Sequence, residues 1–169
     1  TGSEEERSKI CETPGSLYNV VTRTTRTNML YDRAGNLLHY TQSENGTDRP
    51  DLRTETEWDG AYDALGRMTR YFEKVRSTDI GTGGRVLSTY EENDRMSMAY
   101  DGSNHLVGYT EKTLDKLGNR NERVWTAAYG GRGLVTGYEE IEIDDRGNRT
   151  LHNQEDIEYD FAGRVSAVV

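Results

Sequence analysis

The stretch YDRAGNLLHY, beginning at Tyr31, returns in recognisable form as YDALGRMTRY from Tyr62, YDGSNHLVGY from Tyr100 and YGGRGLVTGY from Tyr129, and a fifth copy opens at Tyr159. Internal repetition constrains a chain more than any other feature, because every copy must make the same local structure and stack on its neighbours. Nine of the 11 tyrosines stand at the first or tenth place of a copy, which composition alone does not produce. Two further copies lack the tyrosine: Leu114-Asp115-Lys116-Leu117-Gly118-Asn119 and Ile143-Asp144-Asp145-Arg146-Gly147-Asn148. The segment Tyr90-Glu91-Glu92-Asn93-Asp94-Arg95-Met96 reads as a degenerate eighth. Copies start at 100, 114, 129, 143 and 159 in the second half, whereas the earlier starts are 31 and 38 residues apart and are expected to hold longer hairpins.

Each copy carries its own turn chemistry. Aspartate at the first place of a turn and glycine at the fourth favour a type I turn whose glycine takes φ > 0, closing a hairpin through a G1 bulge. The places are filled by Asp32 and Gly35, Asp63 and Gly66, Asp115 and Gly118, and Asp160 and Gly163. Asp101 and Gly133 mark copies in which one of the two places is filled differently, and Gly147 closes the copy at Asp144. Tyr31 should then face Leu37, Tyr62 face Met68, Tyr100 face Leu106, and Tyr159 face Val165. Tyr129 is expected to face Leu134 or its neighbour, in a copy one residue tighter than the rest. Strict alternation along a strand would place the later tyrosines, Tyr40, Tyr71, Tyr109 and Tyr138, on the opposite face from the opening ones.

The ten or so residues between one glycine and the next tyrosine suffice for a strand, a tight turn and a returning strand, so each unit reads as about one hairpin. The fold class is all-β: an antiparallel meander of hairpin repeats, curved or spiralling. Asn45-Gly46 and Gly81-Thr82-Gly83-Gly84 add turn signals, and Pro14 and Pro50 fall outside the expected strands. Residues 18–169 form the repeat array, and residues 1–17 an edge or poorly ordered segment.

Composition agrees with a thin sheet. Hydrophobic residues make up 33% and charged residues 30%, the mean hydropathy is -0.92, and two phenylalanines and two tryptophans are too few for a closed interior. A net charge of -9 argues against nucleic acid, which requires a basic stripe. No apolar run is long enough to insert into a membrane. Cys11 is the one cysteine, so no internal disulfide forms. The opening Thr1-Gly2-Ser3 reads as a vector-derived scar, and the chain is expected to be part of something longer.

No catalytic set emerges. His39, His105 and His152 sit at different places in their copies and show no metal-ligand spacing. Turn capping accounts for the aspartates that a glycosidase pair would need. Asp144-Asp145-Arg146-Gly147-Asn148 lacks the spacing of a calcium loop. Asn45-Gly46-Thr47 and Asn148-Arg149-Thr150 match a glycosylation acceptor at a frequency close to chance. The chain is read as non-enzymatic, with no cofactor.

The pattern Y-D-x-x-G-R/N-L/M/V resembles the YD repeat of Rhs-type proteins, a family that spans bacterial polymorphic toxins, the B and C components of insecticidal Tc toxins, wall-associated proteins and teneurins. The resemblance covers about residues 18–169. It implies a long β-hairpin ribbon that spirals, often into a hollow shell enclosing a cytotoxic segment, or serves adhesion at a cell surface. It also implies secretion or surface display. The toxin branch closes its shell with a core ending in an Asp-Pro-containing motif, and no Asp-Pro pair occurs here, so no self-cleavage residue is carried over. The partners expected are the remainder of a parent chain or an enclosed cargo. The rival reading is a module that binds glycan or a cell-surface protein through Tyr40, Tyr71, Tyr109 and Tyr138. Open strand edges add self-association to the expectations.

Overall fold

A computed structural model describes residues 22–81 and 84–167. The expectation for residues 1–17, with Cys11 and Pro14, lies outside them. The described chain is all-β, as its repeats require. Nine strands follow one another in chain order through a single antiparallel sheet: β1 (Thr22–Tyr31), β2 (Leu37–Gly46), β3 (Leu52–Tyr62), β4 (Met68–Ile80), β5 (Val86–Tyr100), β6 (Leu106–Leu114), β7 (Arg120–Tyr129), β8 (Val135–Ile143) and β9 (Arg149–Gln154). The sheet does not close into a barrel. The short pair β10 (Glu158–Tyr159) and β11 (Val165–Ala167) follows, and Ile157 N–H donates to the Thr136 carbonyl, tying this pair to β8.

The unit is one turn plus one strand, not a hairpin. Only β7 lies between Gly118 and Tyr129, because ten residues in a β conformation already span the sheet. Turns therefore alternate between the two ends. All five tyrosine-led copies close turns at one end, and the two copies without tyrosine close turns at the other. The wider early spacings arise from two strands each, with β4 and β5 lengthened to 13 and 15 residues. Tyr90 falls inside β5, paired with Arg76, so the degenerate eighth copy is strand and not turn. Asn45-Gly46 ends β2, and the turn follows it, with Leu52 N–H donating to the Arg49 carbonyl. At the next turn on that end Gly81 N–H donates to the Arg85 carbonyl and Gly84 takes φ +76°, as its glycine signal predicts.

The turns repeat one hydrogen-bond scheme. In the copy at Asp63, the Asp63 N–H donates to the Arg67 carbonyl, and Oδ1 accepts from the N–H groups of Leu65 and Arg67, both at 2.9 Å. Oδ2 accepts from the Arg67 side chain at 2.7 Å. Asn36, His105, Asn119, Asn148 and Arg164 play the part of Arg67 toward Asp32, Asp101, Asp115, Asp144 and Asp160. In the looser copy at Asp101, Asn104 takes the glycine place at φ +70°.

These contacts favour the ionised carboxylate. The side-chain amides of Asn36, Asn119 and Asn148 hold Asp32, Asp115 and Asp144 below the usual carboxylate range, and the backbone N–H groups of Arg67, His105 and Arg164 do the same for Asp63, Asp101 and Asp160. A folded-state pKa below the unfolded value gives stability that is present above the unfolded pKa, about 3.9 for aspartate, and lost as pH falls through the folded one. The urea midpoint should therefore drop steeply below about pH 4, and Asp63→Asn with Asp115→Asn should flatten that limb. An equally steep limb in the double variant would show that these two turns do not set it.

Two register details decide which way the tyrosines point. After each tyrosine-led turn the returning strand carries one extra residue: Tyr62 pairs with Met68 but Ala61 with Arg70, leaving Thr69 as a bulge. The same shift follows Tyr31, Tyr100, Tyr129 and Tyr159. The extra residue cancels the alternation, so the opening and tenth-place tyrosines share a face. Gly60, two residues before Tyr62, pairs with Tyr71. The expectation of opposite faces is thereby corrected. Tyr129 pairs with Val135, and its turn is as long as the others, with Gly130 in the aspartate place. The remaining pairs, Tyr31–Leu37, Tyr62–Met68, Tyr100–Leu106 and Tyr159–Val165, form as the repeat predicts.

Candidate functional site

One residue per strand builds a band across the tyrosine-bearing face: Tyr40 on β2, Trp58 on β3, Tyr71 on β4, Arg95 on β5, Tyr109 on β6, Trp125 on β7 and Tyr138 on β8. Cross-strand pairs share a face, and the register runs Tyr40–Trp58, Tyr71–Arg95, Tyr109–Trp125 and Ala127–Tyr138. Tyr71, Tyr109 and Tyr138 stand two residues from Glu73, Glu111 and Glu140, which continue those rows. The four tenth-place tyrosines are thus aligned on one face.

The rings are engaged with one another and with arginines. Tyr40 stacks on Trp58 at 5.5 Å between centroids, and the Arg26 guanidinium lies 4.2 Å over its ring. Tyr109 stacks on Trp125 at 5.3 Å and carries Arg95 at 4.2 Å, while Arg95 also lies 5.5 Å from the Tyr71 ring. The indole of Trp58 folds over Gly60, where a Cβ would overlap it. Burial raises the phenols of Tyr40 and Tyr71 above the usual tyrosine range.

Beneath this band runs a row of charge. Glu111, 6% exposed, accepts from Arg95 Nε at 3.0 Å and Nη2 at 2.7 Å, and Arg123 approaches its other oxygen at 3.8 Å. Arg123 also meets Glu140 at 3.4 Å and Glu142 at 2.8 Å. Beside this row lies a groove of about 300 Å³ lined by Thr113, Asn121, Arg123, Glu142 and Thr150.

The opening tyrosines serve the fold. The hydroxyls of Tyr100, Tyr129 and Tyr159 donate to the carbonyls of Met68, Leu106 and Val135, each the first residue of the strand leaving the preceding turn at that end, at 2.8, 2.9 and 2.8 Å. At Asp63 and Asp101 the side chain gripped by the turn aspartate then lies on the next opening tyrosine. Arg67 sits 4.9 Å over Tyr100, and His105 stacks on Tyr129 at 4.6 Å. At this end the tyrosine thus links one turn to the next.

The turn residues singled out from the sequence lie at the two ends of the sheet, away from the band, and cap turns. Asp144 caps its turn through Arg146 and Asn148 N–H, so the acidic pair is turn chemistry. The Asn148 amide donates to Asp144 Oδ2 at 2.7 Å and so takes part in the same turn. His105 belongs to the turn ladder, and His152 lies on exposed β9. His39 does not stand alone: its Nδ1 is 2.8 Å from Asp59 Oδ1 across the β2–β3 pair. Sequence reading missed Arg95, Glu111, Trp58 and Trp125 as partners of the tyrosines. Only strand register brings them together.

Comparison of the chain with known protein families, with curated proteins and with solved structures found no match.

Proposed function

We propose that the chain is a non-catalytic structural segment of a secreted or cell-surface protein of YD-repeat (Rhs) type, forming part of a β-walled shell or scaffold that encloses a cargo or holds a recognition surface. One observation carries this reading. Nine strands lie in a single layer, and among the described residues Ile157 is the only large apolar side chain that is buried. A sheet normally buries one face against a second layer. Here half-buried rings share one face with the Arg95–Glu111–Arg123 ion pairs, and the other face carries further ion pairs such as Lys112–Glu122, as expected of a wall whose remaining cover comes from its continuation or its contents.

Thr54 and Glu55, neighbours on β3, point to opposite faces and allow a direct test. Single Thr54→Cys and Glu55→Cys variants in a Cys11→Ser background would be treated with a bulky maleimide on protein isolated from its host. A wall protects one position and leaves the other reactive. Equal, rapid labelling of both would overturn the reading.

The alignment of Tyr40, Tyr71, Tyr109 and Tyr138 supports a second reading, a module that recognises glycan or a surface protein. Weighing against it, the ring faces of Tyr40 and Tyr109 are taken by arginine and tryptophan rather than open to a sugar. A glycan array with Tyr71→Ala and Tyr109→Ala controls separates the two, since binding lost in both variants would establish the module.

A further inference from the structure

We propose that His39, Glu57 and Asp59 form a binding site for a divalent cation of the zinc class, bridging β2 and β3. His39 pairs directly with Asp59 in the strand register, and Glu57 lies two residues along β3 on the same face. One ligand atom from each, an imidazole nitrogen and two carboxylate oxygens, falls within 4.8 Å of the other two. Zinc holds nitrogen at about 2.0–2.1 Å and carboxylate oxygen at about 2.0–2.2 Å, so ligand atoms around it stand roughly 3–3.5 Å apart. Closing from the observed spread needs only side-chain rotation. Glu57 and Asp59 are 48% and 53% exposed, which leaves them free to rotate and open to solvent. The strands do not need to move.

Charge at this spot differs from two other cross-strand pairs on its face, where Asp94 meets Arg70 at 2.7 Å and Glu122 meets Lys112 at 3.4 Å. Here two carboxylates share an imidazole and Lys74, whose Nζ stands 4.0 Å from Glu57. A divalent ion neutralises both carboxylates and takes the place that the distant lysine fills poorly. The donor set of one imidazole and two carboxylates suits zinc and its neighbours better than calcium or magnesium, which prefer oxygen alone. Three protein ligands leave a further position for water. Such an ion would staple two neighbouring strands of a sheet that has little buried core.

The test uses the full chain and zinc chloride, with cobalt(II) as the spectroscopic probe. Zinc at about 100 times its dissociation constant should raise the thermal midpoint by roughly 5–10 °C, reversibly with chelator. His39→Gln, Glu57→Gln and Asp59→Asn, each checked for native circular dichroism, should lose most of the shift. Cobalt(II) should give visible d–d bands in the parent protein that His39→Gln abolishes. No rise with zinc would overturn the site, and so would an equal rise in His39→Gln, which would place the ion at other donors. If all three variants misfolded, cobalt-induced shifts of the His39 ring protons in the unaltered protein would decide, and their absence would reject the assignment.

Discussion

Replacing Glu111 by alanine should lower the free energy of unfolding by about 2–3 kcal/mol, measured from urea denaturation. Most charge pairs on this sheet are exposed, and their removal should cost about 0–1 kcal/mol each. Glu111 differs because it is 6% exposed and takes two hydrogen bonds from Arg95. Without it, Arg95 stays between the rings of Tyr71 and Tyr109 with its charge unpaired, and the rings limit how far water can reach. Arg95 keeps about a quarter of its surface, 26%, so the loss falls short of a fully buried pair. Arg123 retains Glu140 and Glu142 and should contribute little to the change. The double variant Glu111→Leu with Arg95→Met should lose less than the two single changes summed, because neither leaves a lone charge. A loss under about 0.5 kcal/mol for Glu111→Ala would mean that the pair behaves as a surface contact.

Gly66→Val should cost about 1–3 kcal/mol, whereas Gly66→Asn should cost much less. Gly66 has φ +78°, where a β-branched side chain is strained. Crowding is not the cause, since a Cβ there meets only Asn36 Oδ1 at 3.7 Å. Asparagine already holds the equivalent place at Asn104, with φ +70°. The strain would spread along the link between turns, because this turn aims Arg67 at Tyr100 and presents the Met68 carbonyl to the Tyr100 hydroxyl. Hydrogen exchange should therefore quicken at both the Asp63 and Asp101 turns in Gly66→Val. Equal stability of the two variants would show that the turn tolerates any residue.

Much of this architecture is legible in the residues. Local chemistry sets the turns: a carboxylate that caps its own backbone and a residue that accepts φ > 0 need only neighbours within four positions. That is why Asp32, Asp63, Asp115 and Asp160 read correctly, and why the pairs they imply appear in the sheet. The facing of the tenth-place tyrosines is decided by one feature. A bulge of one residue after each tyrosine-led turn is invisible to a count of alternating positions, yet it reverses the face on which the next tyrosine lies. Further bulges with positive φ at Asn28 and Ser97, each three residues before an opening tyrosine, carry no glycine to announce them.

The sequence by itself determined that the chain is a β-meander, where most of its turns fall and which residues cap them, because those are properties of contiguous residues. Tertiary structure decided what meets across strands: Arg95 between two tyrosines, Glu111 beneath them, and His39 beside Asp59, partners that stand 14 to 24 residues apart in the chain. Their meeting depends on the register between neighbouring strands. Each bulge shifts that register by one residue, and a shift of one exchanges the two faces of the sheet.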